Sequence, residues 1–353
     1  MSIAVVPLGI QYNSIHKSCQ LLEDVKEQLP STMQELEQHP GDLESVCEPQ
    51  LQCTDTKSEK QDSNIWIPLD FQFDNVIRMT GAWRDFNPRE IEDSMATFTK
   101  GCKWAPDGTC ILTNSDDHML RIFNLPESIY GVSSWDTATN KLPSDLDQAV
   151  SCREGGTIYD FCWYPGMTSL EPLTCCIASC SRKSPVHLWD AFNGSLRASY
   201  SPYNQYDEVE AAHSVAFSAD GQKLYCGSEN VIRIFDLAKP GRQCEKRNLK
   251  CSSLMPQERQ AGIVSCIATN PTEQKIYAVG SYQKTLGIYG EPDGALLCLL
   301  KAHVGGVTHI QFSPDGTKLF SGGRKDPEIF CWDLRCPGKF LTSYQRTAIQ
   351  MVM

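Results

Sequence analysis

The stretch VTHIQFSPDGTKLFSGGRKDPEIFCWDL (307–334) decides the fold. It opens with a short alternating apolar run and breaks at Ser-Pro-Asp-Gly, a strong turn signal. A second run follows and ends in small residues. A tight turn then leads into a third run, which closes on Trp332-Asp333. Three short runs joined by two tight turns read as three consecutive antiparallel strands. The second turn, GGRKDP, holds two cations, so it is either a charged turn or part of a site.

The plan recurs. It is present in GCKWAPDGTCILTNSDDHMLRIFNL (101–125) and in YDFCWYPGM (159–167) followed by CIASCSRKSPVHLWD (176–190). It returns in AHSVAFSADGQKLYCGSENVIRIFDL (212–237) and in VSCIATNPTEQKIYAVGSYQKTLGIYG (264–290). Trp104, Trp163, Phe217, Ala268 and Phe312 correspond, at spacings of 59, 54, 51 and 44 residues. The variable interval leaves room for a fourth strand and loops. One small sheet cannot bury both faces, whereas a ring of such sheets can. The punctuation and period are similar to those of WD-repeat β-propellers, each repeat supplying one four-stranded blade.

Composition fits this reading. The chain has 353 residues, 41% hydrophobic and 21% charged, with no run of eighteen apolar residues. The start, MSIAVVPLGIQYNSIHKSC, lacks the basic region of a signal peptide. Residues 1–64 hold eleven acidic and four basic side chains and read as an acidic, mostly disordered arm. Within them CQLLEDVKEQLPSTMQEL (19–36) has the pattern of a short amphipathic helix. The net charge of −11 leaves −4 for the remainder, which can still carry a basic face. The expected layout is the arm over 1–64, the blades over 65–340 and a divergent tail over 341–353. Seventeen cysteines, an odd number at irregular spacing, read as reduced thiols. Cys175, Cys176 and Cys180, near His187, lack metal-ligand spacing and read as small buried strand residues.

No enzyme signature is present: there is no G-x-S-x-G, no P-loop and no H-E-x-x-H. No cofactor or metal is expected. Asp116 and Asp117 fit a hairpin turn, and His213, His303 and His309 fit propeller structure. Binding remains. In a propeller, the loops between second and third strands and those leading into each blade open on one rim. Arg182, Lys183, Tyr282, Lys284, Arg324 and Lys325 fall in such loops, and Tyr159 falls at the start of a blade. Such residues can hold an anionic partner with cations and a planar one with flat faces, and arginine serves both. Charged turns also occur for solubility alone; their recurrence at equivalent positions is what favours a site. Trp104, Trp163, Trp189 and Trp332 read as core.

The resemblance narrows on KGCKWAPDGTCILTNSDDHMLRIFNLP, TIYDFCWY, HLWDAFNGSLRASY, PGRQCE, GSYQKTLGIY and SGGRKDPEIFCWDLR. Over roughly 65–345 these resemble the telomerase Cajal body protein family, WD-repeat factors for small Cajal-body RNAs. WD-repeat blades often hold a hydrogen-bonded His, Ser or Thr, Asp and Trp, and His303, Ser321, Asp326 and Trp332 match that set. The first repeat has Thr113 and Asp117 but Phe123 for the Trp, and the second has Lys183 at the Asp position. The resemblance implies a non-enzymatic scaffold in the nucleus and Cajal bodies, and also in the cytoplasm. Implied partners are small Cajal-body RNAs, telomerase RNA, dyskerin-containing ribonucleoproteins, coilin and, for folding, the cytosolic chaperonin; neither membrane nor DNA is a direct partner. The family closes about seven blades, whereas five repeats precede CPGKFLTSYQRTAIQMVM (336–353). That contrast gives the expectation of a truncated or alternatively spliced form with an incomplete propeller. The alternative is a five-bladed ring closed by residues 65–100.

Overall fold

A computed structural model describes residues 78–79, 98–126, 145–204, 206–249, 259–272, 275–336 and 338–346. The expected arm, most of 65–100 and the last seven residues lie outside these. The described residues form strands and turns and no helix.

Strand β1 (Arg78–Met79) pairs in parallel with β5 (Asp145–Leu146) in a two-stranded sheet. Five antiparallel four-stranded sheets are the blades of a β-propeller. The first comprises β2 (Thr99–Trp104), β3 (Cys110–Ser115), β4 (Met119–Asn124) and β6 (Val150–Arg153). The second comprises β7 (Ile158–Trp163), β8 (Cys176–Ser181), β9 (Val186–Asp190) and β10 (Leu196–Tyr200). The third comprises β11 (Ser214–Phe217), β12 (Lys223–Gly227), β13 (Val231–Asp236) and β14 (Glu245–Asn248). The fourth comprises β15 (Val264–Thr269), β16 (Ile276–Ser281), β17 (Thr285–Gly290) and β18 (Leu296–Lys301). The fifth comprises β19 (Val307–Phe312), β20 (Lys318–Gly323), β21 (Glu328–Asp333) and β22 (Phe340–Gln345), so it runs past the expected boundary at 340.

The Asp-Gly turns form as their chemistry requires. Asp107, Asp220 and Asp315 each accept the N–H two residues on, from Thr109, Gln222 and Thr317 at 3.0, 3.0 and 3.2 Å. The glycine between takes φ of +73, +68 and +68°, which a side chain disfavours. In the fourth blade Asn270 plays the aspartate's part toward Thr272, and the turn is one residue longer: Asn270 N–H reaches Ile276 O, where Ser313 N–H reaches Lys318 O. The fourth counterpart of Trp163 is therefore Thr269 and not Ala268, since Thr269 pairs with Tyr277 as Trp163 pairs with Ile177.

Blade stacking follows one rule. Cross-strand trios face the preceding sheet: Trp163–Ile177–Trp189, Phe217–Leu224–Phe235, Thr269–Tyr277–Tyr289 and Phe312–Leu319–Trp332. Four core clusters result, one at each junction of successive sheets. Each fully buried leucine or isoleucine in them contributes about 1.5–3 kcal/mol. The first blade's trio is Trp104–Ile111–Phe123. None of the four clusters reaches it, and Trp104 is 41% exposed. The expectation that Trp104 is core is therefore wrong, while Trp163 is 7% and Trp332 3% exposed.

The innermost strands face a common axis. Lys103 Nζ on β2 reaches Asp160 Oδ1 on β7 at 3.1 Å, and Asp160 Oδ2 accepts the Val215 N–H on β11 at 3.1 Å. Burial pushes the Lys103 ammonium pKa down, and Asp160 more than offsets this, leaving it above the ordinary value. His309 on β19 lies within electrostatic reach of the same pair.

Candidate nucleic-acid interface

In the second to fifth blades the loops are pinned from inside by one polar residue. It lies four positions before the first paired residue of the inner strand: Glu154, Glu210, Gln260 and His303 in the second to fifth blades. His303 donates its Nδ1–H to Asp326 at 2.6 Å. Its Nε2 then accepts from Ser321 at 2.8 Å, and Ser321 accepts the Trp332 indole N–H at 2.8 Å. The network fixes the tautomer. Asp326 also accepts the Gly305 N–H at 2.6 Å and is 2% exposed.

Glu154 does this work in the second blade, and sequence reasoning missed it. Its carboxylate accepts from Ser179, from Ser181 at 2.8 Å, from His187 Nδ1 at 3.0 Å and from Trp189 Nε1 at 3.2 Å. Burial pushes the Glu154 carboxyl pKa up, but the bonds from His187 and Ser179 win and hold it below its ordinary value. The acid here comes from the loop, and the place of Asp326 is taken by Ser184, not by Lys183 as expected: Ser184 N–H bonds Ser181 O as Asp326 N–H bonds Gly323 O, and Lys183 matches Lys325. The signal was its offset from the inner strand, which matches that of His303. Elsewhere Glu210 pairs with the buried Arg233, and Gln260 accepts the Tyr289 hydroxyl at 2.8 Å. His187 is therefore committed to Glu154. Cys176 and Cys180 are buried thiols, with burial pushing Cys176 up to about 11.

On this scaffold the turns between second and third strands share a left-handed residue: His118, Lys183, Asn230, Lys284 and Lys325, with φ of 59–67°. Non-glycine residues occupy this region at a cost of about 1–2 kcal/mol. Asparagine lowers that cost through local hydrogen bonds and lysine does not; Asn230 Oδ1 also accepts the Gly262 N–H, 32 residues on, at 2.8 Å. Three of five blades nevertheless place lysine there. Arg182, Lys183, Lys284, Arg324 and Lys325 are all exposed. Among the described residues no hydrogen bond or ion pair engages their side chains. The other two turns are acidic, with Asp116 and Asp117 in the first and Glu229 in the third. Asp116 and Asp117 are held by Lys100 and Arg121 at 2.6 and 2.5 Å.

The candidates gather in two groups. In the second blade the Arg182 N–H bonds Thr157 O at 2.9 Å, setting the Arg182–Lys183 turn beside the start of β7, where Tyr159 is 40% exposed. In the other group Tyr282, 47% exposed, and Arg324 flank Gly306. A Cβ on Gly306 would come within 2.8 Å of the Tyr282 backbone, and Gly306 O accepts the Arg324 N–H at 2.7 Å. GGRKDP thus has a divided character. A Cβ on Gly323 would meet the Asp326 carboxylate at 2.0 Å, and Asp326 is buried. Arg324 and Lys325 point out. A Cβ on Gly322, a buried residue of β20, would meet the Arg346 guanidinium at 3.9 Å, an ordinary contact.

The inner strands add a feature not expected from the sequence. In four blades a β-bulge interrupts the pairing between first and second strands at the same rim, between Thr99 and Gly101, Ile158 and Asp160, Val264 and Cys266, and Val307 and His309. The extra residues are Lys100, Tyr159, Ser265 and Thr308. Bulges of this kind re-aim a side chain.

Comparison with known proteins agrees with the fold. The model for "WD domain, G-beta repeat" matches residues 97–124, 207–236 and 294–333. Telomerase Cajal body protein 1 of mouse is 43% identical over 350 residues, covering 97% of this chain and 61% of that protein. The rat protein is 48% identical over 268 residues (76% and 48% covered), and the human protein 45% over 290 residues (82% and 50%). The chain thus spans about half to three-fifths of the length of these relatives. It is a WD-repeat β-propeller protein and a relative of the telomerase Cajal body proteins.

Proposed function

We propose that the chain is a non-enzymatic scaffold that binds small Cajal-body RNAs, telomerase RNA among them, through this rim, and directs their ribonucleoproteins to Cajal bodies in support of telomerase assembly. The observation that carries the reading is the set of five exposed cations, Arg182, Lys183, Lys284, Arg324 and Lys325, without an ion pair among the described residues, at equivalent turns of one rim. A charge kept only for solubility gains nothing from a left-handed lysine. A cation that must reach a phosphate gains an aimed side chain. Tyr159 and Tyr282 supply flat faces beside the two groups. The names of the relatives support Cajal bodies and telomerase as the setting. Dyskerin-containing ribonucleoproteins, coilin and the chaperonin are the protein partners within this reading, and the nucleus and the cytoplasm the compartments.

A labelled RNA hairpin carrying the Cajal-body localisation element, titrated by fluorescence anisotropy at two salt concentrations, tests it. Element-dependent binding that weakens steeply with salt, and weakens again on joint Arg324→Ala and Lys325→Ala substitution, is expected. Equal binding to a hairpin with the element mutated overturns it.

A second reading, a protein-only adaptor, has its own observation. A cleft of about 670 Å³ opens on the opposite rim between the third and fourth blades. Lys223, Tyr225, Asn270, Pro271, Lys275 and Pro292 line it. Peptide capture there would show little dependence on salt.

A further inference from the structure

Tyr159 and His213 form an aromatic step across a blade junction. Their ring centroids are 5.0 Å apart with planes inclined by 20°. Tyr159 is the extra residue of the β7 bulge, and His213 immediately precedes β11. Below them Asp160 accepts the Val215 N–H at 3.1 Å, so the strands bearing both rings are tied together. The phenol has no hydrogen-bond partner among the described residues. The imidazole Nδ1 is buried and also lacks one. Interior tyrosines of this protein spend their hydroxyls instead: Tyr200 on Leu237 O, Tyr225 on Glu291 and Tyr289 on Gln260. Among the described residues Tyr159 is thus held at the rim by a bulge and a ring contact, 40% exposed.

The charges around the step are ordered. The Arg182–Lys183 turn lies on its second-blade side, pinned to Thr157 O. On the third-blade side Glu210 and Glu229 act on His213, with Glu210 also paired to Arg233. A phosphate is favoured toward the cations and repelled from the carboxylates, while an uncharged planar ring suffers no such penalty on the His213 side.

Resting on the RNA reading above, the geometry points to a binding site for one unpaired, splayed-out nucleobase on the Tyr159–His213 step, its phosphate turned toward Arg182 and Lys183. The ligand is then a single-stranded loop and not a duplex, because a paired base offers no free face. Lys100, Ser265 and Thr308, the extra residues of the other bulges, carry no ring, so the bulge layer offers a stacking surface at this junction alone among the described residues.

The test uses the full chain and the same RNA hairpin, with 2-aminopurine placed at each loop position in turn. Quenching at one loop position on binding is expected, and it should persist in Tyr159→Phe. Tyr159→Ala should abolish it and weaken binding by roughly five- to a hundredfold, the range of a lost base stack. Its slope of log affinity against log salt should stay that of the wild type. Joint Arg182→Ala and Lys183→Ala should instead lower the slope by about two. His213→Ala, read in the same way, covers a Tyr159→Ala chain that fails to fold. Wild-type affinity and quenching in folded Tyr159→Ala or His213→Ala would overturn the base site while leaving the RNA reading intact. A wild-type chain that binds no hairpin would remove the RNA reading, and the base site with it.

Discussion

Lys183 and Lys325 share one backbone conformation, with φ of 59 and 66° in equivalent turns 142 residues apart. Each follows an arginine and precedes a Ser-Pro or Asp-Pro pair. Substituting glycine removes the left-handed cost of about 1–2 kcal/mol but adds backbone freedom to the unfolded chain. Lys183→Gly and Lys325→Gly should therefore unfold within about 1 kcal/mol of the wild type. Each should nevertheless lower the salt slope of hairpin binding by about one. Paired thermal melts and titrations check both halves; a marked loss of stability would mean that the lysines serve the turn.

Glu154 is a pH sensor of folding by position alone. Its folded pKa lies below the ordinary carboxyl value of 4.5, so the unfolded chain takes up its proton first as pH falls. Its contribution is complete above pH 4.5 and is lost progressively below it. Glu154→Gln should cost about 1–3 kcal/mol at pH 7, since it exchanges a charged acceptor for an amide. Urea denaturation from pH 3 to 7 should show a shallower acid decline in that variant.

A histidine acts in a higher window. Desolvation pushes His213 down, so the unfolded chain holds more protons near pH 6. Stability should rise with pH through 6.5 and be lost as pH falls below it. His213→Phe keeps a ring on Tyr159 and should reduce that slope between pH 5 and 6.5 when followed by urea denaturation.

Trp163 and Trp104 occupy matching places in successive repeats with opposite surroundings. Trp163 fills the junction of the first two blades and donates its indole N–H to Lys103 O at 3.2 Å. Trp163→Ala should cost about 3–5 kcal/mol, and Trp104→Ala, with 41% of the side chain already wet, about 1 kcal/mol. Chemical denaturation of the two variants measures the contrast.

The blade strands and Asp-Gly turns were legible because each is set within a few residues, by alternation and by turn chemistry. The set of His303, Ser321, Asp326 and Trp332 was legible from the WD-repeat resemblance. What the sequence hid was relational. Trp104 looks like Trp163 until the preceding sheet is sought. Ala268 looks like the fourth counterpart because it is apolar, until the pairing of Thr269 with Tyr277 shows that the place belongs to Thr269. Glu154 has no motif of its own, and its role appears only from its offset to the inner strand. The bulge at Tyr159 depends on which carbonyl meets which amide, which no composition encodes. His213 lies 54 residues from Tyr159, and only the stacking of sheets brings the two rings together.

The four separate core clusters have a consequence for how the molecule comes apart. Each sheet shares its apolar contacts with the sheets beside it, so free energy accumulates junction by junction, as in a one-dimensional array. Damage at one junction then spreads by loss of a neighbour and not through a common centre. Amide exchange in such a chain is graded along its length, and a single midpoint temperature averages over events that need not coincide.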